Sequence, residues 1–110
     1  MASLIPTLLY IGNDNNGSIY DSPADSGSYA IIKSINATNT AGITASLSLH
    51  ILVDGSAASS GNAILFEAPL TAGNTLAYDT SIVIPANSSL YIDQPSSAIT
   101  LAVSGVEYVA

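Results

Sequence analysis

The sequence predicts an all-β fold, an antiparallel β-sandwich built by a single domain. Apolar and polar residues alternate in the most regular segment, and short strand-like segments recur with turn residues between them. No segment combines a helical period with helix caps. The 110 residues fit one ordinary domain, residues 1–110. The sequence leaves open whether the strand order is that of a jelly-roll or of an immunoglobulin-like sandwich.

The first half of the chain contains the clearest strands. Thr7–Ile11 and Ser18–Tyr20 flank a loop rich in Asn and Gly. Ser28–Thr38 and Ile43–Val53 follow, separated by a turn at residues 39–42. Alternate positions of Ile43–Val53 are apolar, which gives that strand one buried face. We expect Ser28–Thr38 and Ile43–Val53 to pair as a long hairpin at the centre of the fold.

The second half predicts shorter strands. Residues 54–62 form a small, polar, exposed loop that begins with an Asp-Gly turn. Residues 1–6 are a candidate extended N-terminal arm, since Pro6 ends an apolar run there. The remaining strands are predicted at Ala63–Ala68, Thr75–Tyr78, Ser81–Ile84, Leu90–Asp93 and Ile99–Ser104, and a last segment, Val106–Val109, either continues the previous strand or pairs beside it.

The charge balance argues against nucleic-acid binding. Lys33 is the single basic residue against eight Asp and Glu, for a net charge of −7. Proteins neutralise phosphates with Lys and Arg, so we expect no nucleic-acid partner and no attachment to anionic membranes. No apolar run is long enough to span a bilayer, and the N-terminus lacks the basic region of a secretory signal. We therefore expect the chain to be made and, at least at first, kept in a cytoplasm.

Residues that could carry catalysis are few. The absence of Cys excludes disulfides, thiolate metal sites and cysteine nucleophiles. Ser46 and Ser48 share the polar side of a strand with His50, the single histidine. Side chains two residues apart on a strand lie about 7 Å apart, whereas a catalytic triad needs hydrogen-bond reach. We predict that the chain is not an enzyme and that His50 lies at the surface or in an interface.

The acidic residues suggest little metal or hydrolase chemistry. The loop at residues 14–18 resembles a calcium loop, but its Gly is wrongly spaced for an EF-hand, which leaves an irregular site using Asp14, Asp21 or Asp25. Glu67 and Glu107 would have to face one cleft to hydrolyse glycosides, and nothing in the sequence brings them together. We predict no metal and no cofactor. The expected turn residues in water are Asp14, Asp21, Asp25, Asp54, Asp79 and Asp93.

The predicted surface suits assembly. Most strand edges lack Lys, a common guard against edge-to-edge pairing, so we expect a homo-oligomer or larger assembly to bury them. Ile31 and Ile32 are adjacent and face opposite ways in their strand. Core or rim positions are expected for most aromatic residues, with interface or glycan-binding positions as alternatives: Tyr10, Tyr20, Tyr29, Phe66, Tyr78, Tyr91 and Tyr108.

Four segments resemble small virion structural proteins of tailed bacteriophages: Leu8–Gly12 with Ile19-Tyr20, Ala30–Ile35 with Asn39-Thr40, Leu70–Leu76, and Val103–Tyr108. The resemblance extends over nearly the whole chain. It implies an all-β virion component without catalytic residues, namely a capsid decoration (cement) protein that bridges major capsid subunits. The expected partners are the major capsid protein or other virion proteins. The alternatives are a tail, neck or fibre component, and a cell-surface glycan-binding module.

Overall fold

The computed structural model describes residues 4–110, which form eight β-strands and two 3-10 turns. Within that range, no helix is long and apolar enough to cross a membrane. The turns are Val53–Gly55 and Ser60–Asn62. The strands are β1 (Leu4–Gly12), β2 (Asn16–Asp21), β3 (Tyr29–Asn39), β4 (Ala45–Leu52), β5 (Ala63–Leu70), β6 (Thr75–Pro85), β7 (Ser89–Asp93) and β8 (Ile99–Tyr108).

The strands form two four-stranded antiparallel sheets with a jelly-roll order. The first sheet runs β1-β8-β3-β6 and the second runs β2-β7-β4-β5. The pairs β1–β8, β2–β7, β3–β6 and β4–β5 are those of one long hairpin rolled onto itself. The pairs β3–β8 and β4–β7 complete the two sheets. An immunoglobulin-like sandwich would instead pair the first two strands with each other.

The predicted central hairpin is wrong. The strand β3 pairs with β6 and β8, whereas β4 pairs with β5 and β7. The chain does turn after Asn39, but the turn carries it to the other sheet. The buried Asn39 amide donates to the carbonyl oxygens of Ile43 (2.8 Å) and Leu70 (2.9 Å), and its Oδ1 accepts from Ala41 N (2.9 Å). These bonds hold the crossing in place.

Two pairs of predicted strands are continuous. Thr75–Tyr78 and Ser81–Ile84 both belong to β6, and residues 99–108 form the single strand β8. Gly105 lies within β8 and does not break it. A Cβ placed at Gly105 would lie 2.0 Å from the Ile31 carbonyl oxygen. This glycine therefore allows a close approach of two strands and does not mark a turn.

The core lies between the inward faces of the two sheets. Ile32 and Ile35 of β3 and Val103 of β8 have no exposed surface, and they belong to one apolar cluster with Leu49 and Ile92 of the second sheet. Within β4 the alternating apolar residues face this inner side, as the sequence predicts. Ile43 and Val53, which the sequence assigns to the same buried face, lie outside the strand and are exposed. Burial of these side chains is the main stabilising term of such a fold.

The candidate N-terminal arm is partly a strand. Leu4, Ile5 and Pro6 belong to β1 and pair with Tyr108, Glu107 and Val106 of β8. Residues 1–3 of the candidate arm lie outside the described residues.

Candidate interaction surface

His50 is not at the surface, so that part of its prediction is wrong. It does project from the outer side of the second sheet, but the loop between β4 and β5 covers it and only 4% of it is exposed. Its Nδ1 lies 2.9 Å from the Ser59 carbonyl oxygen and 2.9 Å from Asn62 Oδ1. Both partners are acceptors, so Nδ1 carries a hydrogen and donates it. The Tyr91 ring packs edge-on against the imidazole, with the ring centroids 6.1 Å apart.

The serine nearest His50 along the strand also has a structural partner. Ser48 Oγ accepts a hydrogen bond from the Glu67 backbone N–H (2.9 Å), at a position where β5 bulges and Glu67 has a φ of 47°. The hydroxyl satisfies an amide that the bulge removes from the sheet ladder. The histidine thus fixes a loop, and Ser48 fixes a bulge.

The two glutamates lie on different sheets. Glu67 is exposed on β5, whereas Glu107 is partly buried on the inward side of β8. Tyr20 of β2 donates its hydroxyl hydrogen to Glu107 Oε2 across the sandwich. Burial and this bond with the Glu107 carboxylate both raise the pKa of Tyr20. The pair joins the two sheets at one end of the fold.

The aspartates are distributed between loops and strands. Asp14, Asp25 and Asp54 lie in loops or turns as predicted, but Asp21, Asp79 and Asp93 lie in β2, β6 and β7, so their turn prediction is wrong. Within residues 4–110, no group of three or more His, Asp or Glu side chains is placed to hold a metal ion.

Two of these aspartates line a cleft of about 400 Å³ at one end of the sandwich. Asp21 and Asp54 stand there beside Ser22, Asn87 and Ser88. The Asn87 Nδ2 donates to Asp54 Oδ1 at 3.0 Å, so an amide from the protein itself already binds this carboxylate. The cleft adds acidic and polar surface beside the second sheet.

All four edge strands contain a bulge, which is how this fold protects its edges. An extra residue lies in β1 at Leu9 and in β2 at Ile19. The edge strands β5 and β6 are bulged near Glu67 and Ser81. A bulge bends a strand and breaks the regular row of unpaired backbone groups that a second strand would need. The bulges, and not Lys residues, therefore hinder the addition of a further strand at these edges.

The outer face of the first sheet carries a continuous apolar area. The side chains flanking Ile31 on β3, Ala30 and Ile32, are buried, so Ile31 points outward. The residues that pair with outward positions of β3 also point outward, so the outward positions continue across all four strands. We call the resulting area the apolar outer patch: Leu8, the row Pro6, Val106, Ile31 and Val83, and the row Leu4, Tyr108, Tyr29 and Pro85.

The apolar outer patch is exposed on the edge strands and partly exposed on the central ones. Leu4, Leu8 and Val83 are 57%, 58% and 55% exposed. Tyr29 and Tyr108 stack with their ring centroids 5.0 Å apart, which fixes two large apolar rings in the plane of the sheet surface. Contiguous apolar areas of this kind on soluble proteins mark interaction sites. One sequence signal points to the patch: the adjacent Ile31 and Ile32 make β3 apolar on both faces.

Charge is separated from this patch. The outer face of the first sheet carries Lys33, whose Nζ donates to Ser81 Oγ (2.8 Å), and Asp79, whose charges offset each other. The remaining acids lie on the second sheet, in the loops, or between the sheets: Asp14, Asp21, Asp25, Asp54, Glu67, Asp93 and Glu107. The molecule therefore has one apolar patch without charged residues, and most of its acidic residues lie away from that face.

No family model matches the chain, and no curated protein matches its sequence.

Proposed function

We propose that the protein is a bacteriophage virion structural protein, specifically a capsid decoration (cement) protein that bridges major capsid subunits and stabilises the head. The observation that carries the proposal is the separation of an exposed apolar face from acidic surface on one rigid jelly-roll. Both kinds of surface serve protein contacts, and jelly-rolls occur among viral capsid domains. The resemblance of the sequence to phage virion proteins supports the same function by analogy.

A decoration protein acts by adding buried contact between neighbouring shell subunits. Complementary charge would steer its acidic loops to basic residues of the shell and set their register. Each contact can be weak, because a bridging molecule that is held at one site binds the second at high effective concentration. The bulged edges favour this mode, since they direct contact to faces and loops and away from strand addition.

Candidate catalytic side chains have structural partners, which favours a binding function over an enzymatic one. His50 Nδ1 lies against Ser59 and Asn62, and Ser48 accepts from the Glu67 amide. Glu107 accepts from Tyr20, on the sheet opposite Glu67. Each of these groups contributes to the stability of the fold where it stands.

The copy number of the protein in purified virus particles tests the proposal. Quantitative mass spectrometry should find it at a level comparable with that of the major capsid protein. Particles of a phage that lacks the gene should still assemble, but they should release their DNA at a lower temperature than particles of the parent phage. A copy number of a few per particle would instead support the tail, neck or fibre alternative. Absence from particles together with binding on a glycan array would support the glycan-binding alternative.

A further inference from the structure

We propose that the apolar outer patch is the contact face of a homodimer, in which the first sheets of two copies pack face to face about a two-fold axis. This inference goes beyond the proposed function, because it assigns one occupant to one face and holds whatever the dimer binds next. The partner that covers the apolar outer patch is a second copy of this chain.

Charge favours this face for self-association. Two copies that each carry a net charge of −7 repel each other wherever their acidic surfaces meet. The apolar outer patch contains no charged residue, and the rest of the same face carries the offsetting Lys33 and Asp79. Two acidic molecules can therefore approach here at the least electrostatic cost. A strongly basic partner would gain nothing from this face, since its complement lies on the opposite side of the sandwich.

The area of the face matches what a dimer needs. Four strands spaced about 4.8 Å apart, with about ten residues at 3.3 Å each, give a face of about 600 Å². Two copies packed over this whole face, of which the apolar outer patch covers about half, would bury about 1,200 Å², at the lower end of the range for specific interfaces. Beyond the patch, the outward residues of the two central strands include the small side chains Ser34, Ala102 and Thr100, which favour close packing of two sheets there.

The geometry also favours two-fold symmetry. An isologous contact uses the same surface on both copies, and the apolar outer patch supplies such a surface. A chain of copies joined edge to edge would need regular edge strands, whereas each edge strand here is bulged. The stacked Tyr29 and Tyr108 place rigid aromatic area in the contact, the kind of side chain that dominates interface energies.

Sedimentation velocity of the purified protein tests the homodimer. The protein should sediment as a dimer at micromolar concentration. Val83→Lys adds an ammonium to the patch at an exposed site on β6, and it should raise the dissociation constant by at least about a hundredfold, because the charge would be buried without a partner. Ser18→Lys makes the same charge change at an exposed site on the second sheet and should leave the dimer unchanged.

A cysteine probe gives a second readout that introduces no charge. The natural chain has no Cys, so Val83→Cys and Ser18→Cys each carry a single thiol. Alkylation of the Val83→Cys thiol should slow as protein concentration rises, whereas alkylation of the Ser18→Cys thiol should not. A wild-type protein that is monomeric at about 100 μM would overturn the inference. An oligomer insensitive to Val83→Lys, with a Val83→Cys thiol that stays reactive, would overturn it too. A monomer that still decorates capsids would refute the dimer but leave the proposed function standing.

Discussion

Gly105 is the position at which one missing side chain decides how closely two strands pack. It pairs with Ile32 on β3, beside the extra residue Lys33 that bulges the same strand. Its neighbours within reach of a Cβ are backbone atoms of Ile31 and Ile32, which cannot rotate away as the end of a side chain could. The sequence shows a glycine between two strand-like segments and leaves open whether the strand continues, because a close approach and a turn both select glycine.

Gly105→Ala should destabilise the fold by about 3 kcal/mol or more, because the added methyl group can fit only if the backbone of β3 moves. Urea unfolding followed by circular dichroism measures the change. Gly42→Ala is the matched control: a Cβ there meets nothing within 4 Å, and its effect should stay within about 0.5 kcal/mol. Equal stability of the two variants would refute the close contact.

His50 shows how far single residues could be predicted. The alternation along β4 assigns it correctly to the side of the strand away from the core, because side chains on a strand alternate between faces. Its burial could not be predicted in the same way. That burial depends on a polar loop folding back over the sheet, and the contacts with Ser59 and Asn62 that hold the loop leave no periodic signal in the sequence.

At the scale of elements, strands were predictable but their partners were not. Strand positions follow from local alternation and turn residues, and each predicted strand overlaps a strand of the structure. Pairing depends on where the chain goes after each turn. The sequence of the Asn39–Gly42 turn is compatible both with a turn that closes a hairpin and with one that crosses between sheets. The deciding contact, from Asn39 to Leu70, joins residues 31 positions apart.

The Tyr20–Glu107 pair, which joins β2 to β8, predicts a loss of stability at alkaline pH. Burial and the Glu107 carboxylate raise the pKa of Tyr20 above its ordinary value of 10.0. The folded chain therefore keeps the Tyr20 proton at pH values where the unfolded chain releases it. The stabilisation is complete below about pH 10, and it is lost as the pH rises above that value.

Thermal unfolding between about pH 8 and 11 measures this effect. Tyr20→Phe should be less stable than wild type at pH 8, because Glu107 loses its hydrogen-bond donor. The difference should shrink as the pH rises, since the variant has no Tyr20 proton to release. Tyr10, whose pKa burial also raises, accounts for pH dependence that persists in the variant. A constant difference across this range would contradict the assignment.

At the scale of the whole molecule, contacts made by the acidic surface and contacts made by the apolar outer patch should respond differently to salt. Under the proposed function, attraction between the acidic loops and basic shell residues should be screened as ionic strength rises, whereas the proposed apolar contact between first sheets should not. Raising NaCl from about 50 to 500 mM should therefore weaken binding to undecorated capsids and leave the dimer intact. Co-sedimentation with capsids and sedimentation velocity measure the two effects separately.

Matched neutral variants assign the salt effect to particular acids. Asp21→Asn combined with Asp54→Asn removes two charges from the acidic cleft and should weaken capsid binding and its dependence on salt. Asp79→Asn removes one charge from the outer face of the first sheet and should leave capsid binding and its salt dependence unchanged. The opposite pattern, in which salt dissociates the dimer and leaves capsid binding unchanged, would refute the division of surfaces.

The rolled pairing also has a consequence for biosynthesis. The strand at the start of the chain has the strand at its end as its partner, and Leu4 lies opposite Tyr108. A ribosome exposes Leu4 before it exposes Tyr108, because the residues between them must be synthesised first. The first sheet can therefore close only after Tyr108 has emerged, and long-range pairing of this kind makes folding slow. Newly made copies carry unpaired strands during that interval, and a chaperone that binds them should raise the yield of folded protein.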